Sequence, residues 1–88
     1  RYKFSLGISV ENSILGFLEQ VIMAKNAPKP NKIVYLMKAN SYLEILTLKL
    51  RLLLELDIVN ETKIFQMQAV LQEIGRMLGG WQKSLQRI

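Results

Sequence analysis

The sequence predicts an all-α protein, a single bundle of long antiparallel helices over residues 1–88. Three observations carry that reading. Apolar residues recur every three or four positions along most of the chain. Two short breaks divide it into three segments, and short connectors between long helices make neighbours antiparallel. Half of the 88 residues are apolar but only 8% are aromatic, so the core is aliphatic and leucine-dominated, as suits packed helices.

The first helix is expected over about residues 6–25, with Ser5 as its N-cap. Val10, Ile14, Phe17, Leu18 and Val21 fall on one stripe, while Gly7 and Gly16 weaken the segment. "NAPKP" (26–30) then reads as a rigid connector, because Pro28 and Pro30 cannot both lie inside a helix.

The second helix is expected over about 31–56. Its second half is apolar on nearly every side, with Ile45, Leu46, Leu48, Leu50, Leu52, Leu53, Leu54 and Leu56. A helix that is apolar all round must be covered all round. Two further helices in so short a chain leave that requirement unmet, so a missing helix or neighbouring subunits must complete the cover. A single domain of this size is marginal in any case.

"DIVN" (57–60) is the second break, and Asn60 is a suitable N-cap with Glu61 beside it at the positive helix end. The third helix is expected over about 61–87. Ile64, Met67, Leu71, Ile74, Leu78, Trp81, Leu85 and Ile88 form a seam with spacings of three and four residues. Trp81 belongs to that core, and the four methionines read as gap-fillers. Gly75, Gly79 and Gly80 do not interrupt the seam, although each costs a helix roughly 0.5–1 kcal/mol relative to alanine. Gly75 and Gly79 flank the seam about one turn apart, which predicts close packing of another helix there.

The inventory narrows function. There is no cysteine and no histidine, so thiolate or imidazole metal sites and histidine-dependent triads are excluded. No catalytic constellation, metal site or cofactor motif emerges, and an enzyme is not expected. Twelve Lys and Arg against seven Asp and Glu give +5, which favours anionic partners. The longest apolar stretch, "LEILTLKLRLLLELDIV", carries Glu44, Lys49, Arg51 and Glu55, so no membrane partner is expected and the location is read as cytoplasmic. The opening on Arg1 reads as cut from a longer chain.

On the third helix Arg76, Gly80, Lys83 and Arg87 share the side away from the seam. This line is either a solvated face or a strip facing an anion such as nucleic acid, where a bare glycine lets a phosphate approach; composition alone does not separate the two. Lys49 and Arg51 are the only cations in the leucine-dense half of the second helix, and they point to different sides. Each must reach water, a carboxylate such as Glu44 or Glu55, or a partner's anion, because an unpaired buried charge costs several kcal/mol.

"LQEIGRMLGGWQKSL" (71–85) resembles the signature ending of the accessory variability protein (Avd) family of diversity-generating retroelements. The basic-aromatic opening, the "SLG" helix start, the "APKP" hinge and "LRLLLELDIVNETKI" (50–64) are similar to that family too, so the resemblance spans essentially the whole chain. It implies an antiparallel up-and-down four-helix bundle whose first helix precedes Arg1. It also implies assembly as a homopentameric ring, and a non-enzymatic role binding a reverse transcriptase and its RNA or DNA. Arg51, Arg76 and Lys83 match the family pattern and, with Lys49 and Arg87, are the residues expected to make those contacts; Gln82 departs from it. The alternative is a related bundle of the kind encoded in ribosomal RNA intervening sequences, with a structural role and no polymerase partner.

Overall fold

A computed structural model describes residues 2–56 and 60–86. They form three helices and no strands: α1 (Tyr2–Asn26), α2 (Lys29–Glu55) and α3 (Glu61–Gln86). α1 begins earlier than the sequence suggested, so Ser5 lies inside its first turns and does not cap it.

The first connector is shorter than the five residues expected, because only Ala27 and Pro28 lie outside helix. Pro28 has φ −58° and ψ 151°, an extended conformation that ends one helix and begins the next. Its carbonyl accepts the N–H groups of Asn31 (2.9 Å) and Lys32 (3.2 Å). Pro30 fits within the first turn because N–H groups there have no intrahelical acceptor to lose. Lys32 then reaches back, its Nζ donating to the carbonyls of Ala24 and Lys25, both at 2.9 Å. A cation on the exposed carbonyls of a helix C-terminus satisfies them and complements the helix dipole.

At the second break Asn60 caps α3 as expected: its Oδ1 accepts the N–H of Lys63 at 3.2 Å, and its carbonyl that of Ile64 at 3.1 Å. The rest of "DIVN" lies outside the described residues, as does Ile88 at the end of the seam. α3 runs unbroken through all three glycines.

α2 is the middle element. α1 and α3 each pack against it, and among the described residues no Cα of α1 lies within 8 Å of one in α3. Towards one end Val10, Leu46, Leu50, Leu53 and Ile64 form a buried cluster. Towards the Pro28 corner Ala24, Leu36, Ala39, Leu43 and Leu78 form a second, with Trp81 and Leu85 packed on it. The result is a layer one helix thick, with extents of 47 × 21 × 13 Å. Its radius of gyration is 14.6 Å, against about 12 Å for a compact domain of this length.

A layer has two faces. α2 buries one stripe between its neighbours, and its opposite side is bare: Val34, Met37, Ile45, Leu48, Leu52 and Leu56 are 41–60% exposed. These residues recur at helical spacing, so they form one apolar ridge. The all-round apolar character of α2 is therefore real, and this chain covers only part of its circumference.

One segment of α1, Ser5–Asn26, is long and apolar enough to cross a bilayer by length and composition. The sequence had placed the longest apolar stretch in α2. α1 carries Glu11 and Glu19 and seats Val10, Ser13 and Ala24 against α2, as a bundle helix does.

Candidate functional site

The most apolar concavity follows from the layer itself. Because α1 and α3 stand apart, an apolar groove of about 360 Å³ opens between them with α2 as its floor. Ile14, Phe17 and Leu18 form one wall, Leu43, Leu46 and Leu50 the floor, and Met67, Val70, Leu71 and Ile74 belong to the other wall. Gln66 is the single polar side chain on its lining. Such a trough offers no acid, base or nucleophile to a substrate.

The basic residues named by the sequence do not form one site. Arg76 and Lys83 share the outward side of α3 and are both exposed, and Gly80 between them has nothing within 4 Å of the position a Cβ would take. Arg76 is not free: its Nη1 lies 3.1 Å from Glu73 Oε1, with the two side chains 76% and 59% exposed. A pair this exposed contributes at most a few tenths of a kcal/mol to stability, but it offsets part of the strip's charge. Arg87 lies outside the described residues. Arg51 is exposed in the other half of the layer, among residues packed near Leu50 and Leu53 and away from Leu78.

Lys49 has an internal role. Its ammonium donates to Ser13 Oγ at 2.6 Å and to the Ser9 carbonyl at 3.0 Å, tying α2 to α1. Ser13 is buried and polar, and the lysine is what satisfies it. The charge therefore meets neutral oxygens of the neighbouring helix, where the sequence pointed to water, a carboxylate or a partner's anion.

The glycines divide likewise. A Cβ on Gly75 would lie 3.3 Å from a Leu43 methyl, so α2 and α3 do approach closely there. Gly79 has open space around it, and the close packing expected at that position is not made within the described chain. The tightest approach among the glycines is at Gly16, which in the sequence is only a weak point of the helix. A Cβ there would fall 2.6 Å from Tyr42 Cζ, so the bare backbone of α1 is what admits the Tyr42 ring.

Three further lysines, Lys25, Lys29 and Lys38, are exposed in the half of the layer that holds the Pro28 corner. They sit on two helices and share no helical stripe, so no periodicity in the sequence marks them as a group. Among the described residues no cluster of acidic side chains is placed to hold a metal ion.

A family model described as bAvd-like matches residues 1–85 of the chain. No curated protein and no solved structure matches it.

Proposed function

The chain belongs to the bAvd-like family of Avd-type accessory variability proteins, and on that premise we propose that it is a non-enzymatic accessory protein of a diversity-generating retroelement. In this reading it assembles as a ring of identical copies, five by family resemblance, and binds the element's reverse transcriptase together with template RNA or complementary DNA. The family match over residues 1–85 is the observation that carries the proposal. The net charge of +5 supports a polyanionic partner, since sequence-independent nucleic-acid binding is largely electrostatic.

The two uncovered faces support the architecture that goes with it. A fourth helix laid in the trough between α1 and α3 would complete an up-and-down bundle and cover Leu18, Met67 and Val70. The ridge on the far side of α2 would remain, and neighbouring copies in a ring are what cover it.

The test is capture of a retroelement reverse transcriptase by the full natural protein, with RNA affinity measured over a salt series and mass by light scattering. Retention of the polymerase, affinity that falls steeply with salt, and a closed oligomer are expected. A protein that ignores both the polymerase and RNA is not this accessory factor. A monomer that binds both would refute the ring alone.

A further inference from the structure

We infer that the nucleic-acid contact of this protein lies at the corner end of the helix layer, on Lys25, Lys29, Lys38 and Lys83, and that these lysines hold the phosphate backbone. The inference rests on the accessory-protein reading and assigns it a place.

The end of α1, the start of α2 and the end of α3 meet at the Pro28 corner, where Ala24, Leu36, Leu78, Trp81 and Leu85 pack together. The charge is concentrated there. The described residues of that half, 17–42 and 71–86, hold six Lys and Arg and two Glu, a net of +4. Those of the other half, 2–16, 43–56 and 60–70, hold four Lys and Arg and four Glu, a net of 0. Among the described residues the positive balance lies at one end.

Two of the six cations are already engaged. Lys32 closes the end of α1 through the carbonyls of Ala24 and Lys25, and Arg76 pairs with Glu73. Lys25, Lys29, Lys38 and Lys83 are exposed and make no ion pair among the described residues. Their backbone is fixed in advance: Pro28 and Pro30 bracket Lys29, and the Lys32 bonds lock the corner that carries Lys25. The Lys38 ammonium stands 5.6 Å from the centre of the Tyr35 ring.

The chemistry suits a phosphate backbone. All four free cations are lysines, compact point charges that accept a phosphate in many geometries. They come from three helices whose axes lie roughly 8–10 Å from their packed neighbours, a spread suited to several phosphates along one strand. Sequence-tolerant backbone binding fits an accessory factor that must follow a template whatever its bases.

The experiment uses the full natural protein and a labelled homopolymeric single-stranded RNA, with affinity measured across a salt series. Lys25→Gln, Lys29→Gln, Lys38→Gln and Lys83→Gln are made singly and together, with Lys63→Gln in the other half as the charge-loss control. Each corner substitution should lower the slope of log affinity against log salt by about 0.7, and the combined variant by almost 3. Lys63→Gln should leave it unchanged, and circular dichroism should show every variant folded. Wild-type binding with a slope that the combined variant retains would overturn the corner assignment and leave the accessory reading standing. A control that lowers the slope as much as a corner variant would overturn it too, since the attraction would then be diffuse. Wild-type protein that binds vesicles containing anionic lipid but not RNA would overturn the accessory reading itself, and so would no salt-dependent binding to either.

Discussion

Gly79 and Gly80 offer the most direct test of what this fold is built to meet. Both lie inside α3, and an added Cβ at either would touch nothing within 4 Å. Alanine in place of each should therefore return the helix propensity that glycine forfeits, roughly 0.5–1 kcal/mol per site, without a steric penalty. The double variant Gly79→Ala/Gly80→Ala should gain about 1–2 kcal/mol. For a domain of this size that raises the melting temperature by roughly 4–8 °C per kcal/mol. Thermal unfolding by circular dichroism is the assay, at fixed protomer concentration because assembly makes the midpoint concentration-dependent. Assembly and RNA affinity should be measured on the same variant. A gain in stability with a loss of either would mean that the bare backbone serves a contact outside the chain. A loss of stability would refute the reasoning, because it would mean that the protein's own atoms fill the space around these glycines.

Gly16→Ala should behave in the opposite way. The same propensity gain of about 1 kcal/mol meets an overpacking cost of roughly 1–3 kcal/mol at the Tyr42 ring, so a net loss of up to about 2 kcal/mol is expected by urea unfolding. Gly7→Ala, which has open space, should instead stabilise, and equal effects at the two sites would refute the Tyr42 contact. Lys49→Met should cost about 1–3 kcal/mol by losing two charge-assisted bonds and leaving Ser13 buried without its partner; unchanged stability would show that water serves Ser13 equally well. Leu48→Glu, on the bare ridge of α2, should lower the mass measured by light scattering while helicity is retained, and an unaltered mass would exclude that ridge from the contact between copies.

The helices were legible because their signals are local. The seam from Ile64 to Leu85 passes through the glycines, and so does α3; Asn60 caps it as its side chain predicts. The first connector is shorter than its prolines suggest because a proline is a breaker only where it removes a bond, and Pro30 falls in a first turn that has none to remove. The uncovered side of α2 was legible from Ile45, Leu48 and Leu52, since no arrangement of two partners hides every side of one helix. What the sequence concealed was everything that depends on which faces meet. Lys49 looks like a surface cation until Ser9 and Ser13 are found opposite it. Gly16 looks like a defect until Tyr42 lies across it. Lys25, Lys29, Lys38 and Lys83 fall in one half of the layer only once the three helices pack.

The surface area turns this arrangement into a quantity. The chain exposes 6448 Å², whereas a compact monomer of 10.2 kDa exposes about 5,300 Å². The excess of roughly 1,100 Å² exceeds the ~800 Å² per partner that a standard protein interface buries. It is also divided, because the trough between α1 and α3 and the ridge of α2 lie on opposite sides of a layer only 13 Å thick. No single flat neighbour reaches both. A helix in the trough closes one side and leaves the ridge, and a second copy against the ridge leaves the trough. Only the two together give this leucine-rich middle helix the enclosure its composition demands.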